Sequence, residues 1–325
     1  MSKKTKKVVC FAGGSVAPKI ILKPLKDLGF DMVGITSMVD NGGSTGVLRK
    51  EFNALPPGDI RRHLLALSEA EDWKKKLWDF RFGKDAEMSF GHYGHNFANV
   101  FIVGLENIFG SFEKALEISH QFLNVKGKAL PATIDKVQLK AELEDGTIVD
   151  GEDDIDTCQK HDPNLKIKRI YLEPDGKAYL PAIEEIKSAD FLIFGPGDLY
   201  SSILPCLLLK GIKEAVKDSL AKKIFICPLM TKKGETLNFL INDFCKEVEK
   251  YLGSSLDVVI YNNNYPSEER VEEYKKEAVL LGELIKAEEG LNSGKFIGEN
   301  LILDNGKINH DEKKLIPLLE KIINN

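Results

Sequence analysis

The chain has 325 residues, of which 43% are hydrophobic and 29% charged, and a formal net charge of −5. That length supports one large domain or two ordinary ones with an ample core. The acidic balance argues against a nucleic-acid partner, which selects for a basic excess on one face, and no run approaches the roughly 18 apolar residues of a membrane span. The cysteines Cys10, Cys158, Cys206, Cys227 and Cys245 are scattered and form no CxxC pair. They imply reduced thiols in the cytoplasm rather than a disulfide frame or a zinc site. Lys3, Lys4, Lys6 and Lys7 read as a solvated tail without a signal-peptide pattern behind them.

In chain order, Val8 to Ala12 is an apolar strand candidate, and Pro18 to Leu28 carries apolar residues at helical spacing until Gly29 stops it. Met32 to Met38 is a second strand, so the chain opens as a βαβ unit, whose natural setting is a parallel sheet covered by helices. Ile60 to Phe82 and Asn96 to Leu123 read as mainly helical. Val137 to Ile148 alternates around the hairpin dipeptide Asp145-Gly146, and Tyr171 to Leu180 turns on Pro174-Asp175-Gly176 in the same style. Residues 132–180 are therefore expected to form an antiparallel extension on the parallel sheet, with the acidic stretch Glu152-Asp153-Asp154 as a solvated loop. The alternation then resumes: strand Asp190 to Phe194, helix Ile212 to Leu220, strand Lys223 to Cys227, helix Thr236 to Tyr251, strand Leu256 to Tyr261 and helix Ser267 to Ala278. These strands lack polar alternation, as expected when both sheet faces are buried. The fold class is α/β, Rossmann-like, with a mostly parallel sheet flanked by helices and a small antiparallel β extension, in a single domain spanning 1–325.

Several polar, glycine-rich segments fall where strands should end, which is where open parallel sheets bind ligands. Gly13, Gly14 and Ser15 lead into a helix, so backbone amides and the helix N-terminus can meet a phosphate; the loop is neither a Walker A motif nor GxGxxG. Asp40, Asn41, Gly42, Gly43 and Ser44 follow the second strand. Asp40 could bind Mg²⁺, hold a ribose hydroxyl or act as a base. In Pro57-Gly58-Asp59-Ile60-Arg61, Asp59 is placed to N-cap a helix. Arg61 and Arg62 sit in its first turn, where cations oppose the helix dipole, so an anionic ligand would explain one of them. His95 and Asn99 are spaced to share a helix face; His92, nearby, reads as a surface residue. Gly195, Gly197, Asp198 and Tyr200 form a second strand-end glycine loop, and Thr231 and Glu235 end the next strand in the same way.

Taken in order, these segments resemble the CofD-like superfamily and, within it, the YvcK-like gluconeogenesis-factor group. The most specific stretch runs from Asp40-Asn41-Gly42-Gly43-Ser44-Thr45-Gly46 through Leu48-Arg49-Lys50-Glu51 to Leu55–Arg61. Leu130-Pro131-Ala132-Thr133 with Ala141 to Thr147, Gly195-Pro196-Gly197 with Leu199-Tyr200 and Ser202 to Pro205, and Met230-Thr231 with Gly234-Glu235-Thr236 carry the rest. The resemblance implies a Rossmann-like fold and two kinds of function. CofD is a Mg²⁺-dependent enzyme that transfers a phospholactyl group from a guanosine diphosphate donor. YvcK-like proteins are non-enzymatic regulators of carbon flow, cell-wall synthesis and cell shape that bind UDP-sugars. The Leu55-Pro56-Pro57-Gly58-Asp59 block belongs to the YvcK-like side. Four positions depart from the pattern. Ala12-Gly13-Gly14-Ser15-Val16 replaces Gly-Gly-Gly-Thr-Gly, with Pro18-Lys19 resembling the CofD turn. Asn41 replaces a second aspartate, which weakens a two-carboxylate metal site. Pro228 replaces an asparagine, and Asn309 replaces the arginine of Arg-His-Asp, a residue implied to contact phosphate or sugar. The ligand is thus expected to be a nucleotide or nucleotide sugar, with Mg²⁺ as the candidate cofactor at Asp40; a homo-oligomer and a regulatory protein partner are both left open.

Overall fold

The computed structural model describes residues 5–83, 94–292 and 294–325. Among these, the first strands are β1 (Lys7–Phe11), β2 (Asp31–Thr36) and β3 (Lys128–Pro131), followed by β4 (Gln138–Leu143), β5 (Ile148–Asp150) and β6 (Ile167–Glu173). Then come β7 (Phe191–Phe194), β8 (Lys222–Ile226), β9 (Met230–Lys232), β10 (Val258–Asn262), β11 (Leu281–Leu284) and β12 (Phe296–Glu299). Seven of them form one sheet in the order β12-β10-β8-β7-β1-β2-β3, and every pairing in it is parallel. The α/β expectation is met.

Why these runs become buried strands is visible in their alternation. Val9, Phe11, Val33, Ile35, Leu192, Phe194 and Val259 face one apolar cluster. Val8, Cys10, Met32, Ile193, Ile224 and Ile260 face another. Both faces are covered, so neither register tolerates polar residues. One cover begins with a π-turn (Pro18–Leu22) continuing into α1 (Lys23–Asp27), then α2 (Gly43–Phe52), α3 (Gly58–Ala66), α4 (Asp72–Asp79), α5 (Phe97–Phe109) and α6 (Phe112–Phe122). Ile21, Leu25, Ile60, Leu64, Trp78 and Ile102 bring much of this layer into the second cluster. The other cover uses α8 (Leu180–Ser188), α9 (Ile212–Asp218) and α10 (Ile241–Leu252), with the short α7 (Glu152–Thr157) between β5 and β6; α11 (Glu268–Glu277) and α12 (Glu312–Asn324) complete the helices.

The small antiparallel extension is present as a sheet of its own, ordered β5-β4-β6, packed through Leu139, Ala141 and Leu172 onto the first cluster. Three expectations change. After β6 the chain does not return as a second hairpin around Pro174-Asp175-Gly176; Lys177 instead makes an isolated parallel bridge with Lys210. The helix expected from Thr236 starts at Ile241, because residues 233–238 form turns in which Glu235 and Thr236 are buried. Glu152-Asp153-Asp154 is not a solvated loop but the first turn of α7, where three acids favour the positive helix end.

β1 and β7 are adjacent, yet the chain goes from β1 outward to β2 and β3, and from β7 outward to β8 and β10. The loops leaving their C-terminal ends therefore diverge and leave a crevice, the topological switch point. Beneath it Phe11 and Phe194 stack with centroids 4.9 Å apart and planes 11° from parallel. Phe194→Ala should cost about 3–5 kcal/mol, read as a lower urea midpoint with an unchanged m-value.

Candidate functional site

The crevice holds a cavity of about 620 Å³. Its walls come from five segments: the loop after β1 (Gly14, Ser15), the start of α2 (Asp40 to Thr45), the start of α3 (Gly58 to Arg62), the acidic turn of α7 (Glu152, Asp153, Asp156), and Asp198 with Ser202 after β7. Arg81, Gly83 and Asn99 close it. Neither α2 nor α3 has a side-chain N-cap, so the first-turn amides of two helices are directed at the site.

Backbone proximity makes this assembly possible. A Cβ on Gly14 would lie 2.6 Å from Asp59 Oδ1 and 2.8 Å from its Cα. Glycine here lets the Asp59 carboxylate accept the Gly14 amide, a bond that opposes the upward shift burial imposes on that acid. A Cβ on Gly58 would fall 2.5 Å from Asp40 Oδ2 and 2.6 Å from Thr45 Oγ1, so α3 starts in contact with the α2 loop. Arg49 fastens that loop by donating to the carbonyls of Val39 (3.1 Å), Asp40 (2.8 Å) and Val137 (3.0 Å).

One wall is cationic. Arg61 is buried, donates through Nη1 to Asp79 at 3.2 Å, and has no partner for Nε. Burial, together with the neighbouring charge of Arg62, lowers its pKa to about 10. Arg62 reaches Asp59 only loosely, at 3.6 Å. Carboxyl groups share the lining with these cations. Burial and the charge of Asp59 raise the Asp40 pKa to about 6, against the amide of Gly42 and the hydroxyl of Thr45. Burial, then Asp40 and Asp156, push Glu152 up to about 10. Behind Asp198 lies a further cluster: Lys232 Nζ bonds Asp156, Asp198 (3.0 Å) and Glu235 (3.1 Å). Burial opposes its charge, but the three carboxylates hold its pKa well above the ordinary lysine value. Burial with Asp198 and Asp156 raises Glu235 to about 7 despite Lys232. The oxygens of Asp156, Asp198 and Glu235 lie within 4.8 Å of one another, a spacing fit for a metal ion. The lysine ammonium already supplies the positive charge there.

The sequence-predicted residues divide cleanly. Gly14, Ser15, Asp40, Gly42, Gly43, Ser44, Gly58, Asp59, Arg61, Asn99 and Asp198 line the cavity. The others stand behind the wall or elsewhere. Gly13 gives its carbonyl to His63 Nε2 at 3.2 Å, so His63, whose pKa burial lowers to about 4, holds the loop from below. Asn41 Oδ1 accepts the Asp153 amide at 2.8 Å and anchors α7. Pro57 is the N-cap position of α3, so Asp59 is not that cap but a bridge to Gly14. His95 precedes α5 instead of sharing a helix face with Asn99; the two meet at Ser44 Oγ, at 2.9 and 3.3 Å. Asn99 Oδ1 is buried without a partner. Gly195 and Gly197 shape the loop after β7 without lining the cavity. Tyr200 buries its ring in the core and offers only its amide, 3.0 Å from Glu235. Thr231 is spent on Glu283, joining β9 to β11. His92 lies outside the described residues.

Residues 8–288 match the family model described as 2-phospho-L-lactate transferase CofD. The chain belongs to the CofD family. A Thermotoga maritima relative is 41% identical over 320 residues, 97% of this chain and 98% of its own. The gluconeogenesis factor of Bacillus subtilis is 35% identical over 325 residues, 98% of each chain. The crystal structure of protein BH3568 from Bacillus halodurans superposes with a TM-score of 0.88 at 34% identity, covering 99% of this chain and all of that one.

Within this CofD-family site, sequence reasoning missed Glu152, Asp153, Asp156, Arg81 and Lys232. The available signal was Lys232 itself, a lysine at a strand end beside Glu235, facing two acidic loops.

Two outcomes follow from the charges. Asp40 titrates higher folded than unfolded, so the folded state binds more protons and stability falls as pH rises from about 4 to about 6, by up to about 3 kcal/mol. Asp40→Asn should flatten that decline in urea titrations across the range. Lys232→Met leaves the buried Glu235 and the partly exposed Asp156 and Asp198 without their cation, which should cost up to about 3 kcal/mol at neutral pH and less at pH 4, where Glu235 takes up a proton; thermal unfolding at both pH values checks this.

Proposed function

We propose that this chain is a nucleotide-sugar-binding regulator of carbon metabolism and cell-wall synthesis, acting on cell shape in the cytoplasm, and that its ligand is a UDP-sugar. The observation that carries this reading is the mixed lining of the cavity. Arg61, Arg62 and the open N-termini of α2 and α3 suit a diphosphate. The carboxyl groups of Asp40, Glu152 and Asp153 in the same lining can bond sugar hydroxyls. The unpartnered Arg61 Nε and Asn99 Oδ1, both buried at this cavity, offer one donor and one acceptor to a ligand. The name of the Bacillus subtilis relative, a gluconeogenesis factor, supports the metabolic part.

A second reading, a CofD-type transferase, is favoured by one feature: besides burial, the charge of Asp59 raises the pKa of Asp40, and Asp40 and Asp59 both raise that of Glu152. Such a hard oxygen set fits Mg²⁺, with Asp40 and Asp59 as the residues to hold it. When bound, Mg²⁺ would neutralise charge on a diphosphate. The chain's own part would be to orient that diphosphate on Arg61 and Arg62 and to hold the Ser44 hydroxyl between His95 and Asn99.

Calorimetry of the purified chain against UDP-N-acetylglucosamine and GDP separates the readings. Binding of the UDP-sugar, weakened about tenfold or more by Arg61→Ala, with no nucleoside monophosphate released, is the expected outcome. Absence of heat with any nucleotide or nucleotide sugar refutes both readings. Monophosphate release that depends on Mg²⁺ and on Asp40 replaces the regulator with the transferase.

A further inference from the structure

A second cavity, of about 520 Å³, lies on the far side of the loop after β1. It shares Gly14, Ser15 and Arg62 with the first, so the two form one groove divided by that loop. Their chemistry differs. The first is lined by carboxylates and helix starts. The second rests on Pro18, Leu65 and Ala66 and is edged by Lys19, Lys23 and Lys75.

Three helix faces build this cleft. The π-turn and α1 place Lys19 and Lys23 four residues apart on one side. Helix α3 presents Arg62, Leu65 and Ala66 at i, i+3 and i+4, a single face. Helix α4 brings Lys75 and Asp79 at i and i+4. The charges do not cancel. Asp79 is the acid in this lining, and Arg61 takes its carboxylate at 3.2 Å. Lys23 is tied to Asp27 at 2.8 Å. Among the described residues Lys19 and Lys75 have no ion-pair partner. An apolar floor between uncompensated cations, in a concave space large enough for a small molecule, selects for a ligand with an apolar body and an anionic head.

We propose that this cleft is a second ligand site, distinct from the nucleotide-sugar cavity, for a small organic monophosphate carried on an apolar ring or chain. The apolar body lies on Pro18, Leu65 and Ala66. Lys19 and Lys75 hold the phosphate, and Arg62 and Ser15, at the division between the cavities, put the two ligands within reach of each other. The site does not depend on the identity of the ligand in the first cavity.

The test uses 1-naphthyl phosphate as probe, with 1-naphthol as its uncharged counterpart, titrated into the full chain by calorimetry. The expected result is saturable binding of the phosphate, weakened about tenfold or more in the Lys19→Glu/Lys75→Glu double variant, with UDP-N-acetylglucosamine binding and the circular dichroism spectrum of that variant unchanged. A Leu65→Asp variant should weaken 1-naphthyl phosphate without altering its response to inorganic phosphate. Failure of the chain to bind 1-naphthyl phosphate overturns the proposal, as does equal affinity in the double variant, or equal affinity for 1-naphthol. Absence of UDP-N-acetylglucosamine binding by the unaltered chain, with the naphthyl phosphate result intact, would strike the proposed function and leave this site standing; its loss only in the double variant would overturn the claim that the two sites are distinct.

Discussion

The contact on which the site depends is the meeting of the Asp59 carboxylate with the Gly14 amide. It ties the loop leaving the central strand β1 to the first turn of α3. Asp59 is an acid at the positive end of a helix, a favourable place for its charge, and it is buried, which is unfavourable. The amide of Gly14 and the charge of Arg62 offset that cost. From this bridge the geometry propagates. Gly58 sits against Asp40 and Thr45, Arg49 secures the backbone at Asp40, and Asn41 seats the start of α7. Each wall of the cavity is held by a neighbouring wall, so loops from five segments behave as one surface.

The electrostatic consequence is a site under strain when alone. Asp40 and Glu152 both titrate well above ordinary carboxylates, burial being the largest cause and neighbouring acids the next. Arg61 is lowered by burial and by Arg62. Cations and carboxylates are thus collected around one cavity, with Arg62 reaching Asp59 only at 3.6 Å and Arg61 Nε left without a partner. A molecule that brings negative phosphate to the cations and hydroxyl donors or a cation to the carboxylates relieves both. The Lys232 cluster behaves oppositely. Its ammonium touches three acids at once, so it ties Asp198, Asp156 and Glu235 together and supports the wall under Asp198.

What was legible in the sequence, and what was not, follows from the range of the forces involved. The parallel strands were readable because burial on both faces demands unbroken apolar runs such as Val8 to Phe11 and Phe191 to Phe194. The glycine loops were readable because their position after a strand carries information of its own. The role of α7 was not readable: Glu152-Asp153-Asp154 has the local composition of a solvated turn, and only the folding of the antiparallel sheet onto the first core cluster brings it over the strand ends. Tyr200 failed for the complementary reason. Its backbone amide meets Glu235 behind the site, but its large ring packs into the core, and a residue name does not say which way a side chain leaves the π-turn Leu199–Ile203.

The positions that depart from the motifs the sequence resembles gain a physical reading in the same terms. Asn41 stands where the resemblance implies an aspartate, and its amide oxygen accepts the Asp153 amide. A carboxylate there could accept the same bond, but it would add a further negative charge beside Asp40, Glu152 and Asp153, where burial already disfavours ionisation. The neutral side chain therefore preserves the scaffold while lightening the acidic wall. Ser15 stands exposed in the lining shared by the two cavities, with Lys19, at the edge of the second, four residues further on. A neutral Asn41 on one side and the open lysines on the other both leave the groove less negative.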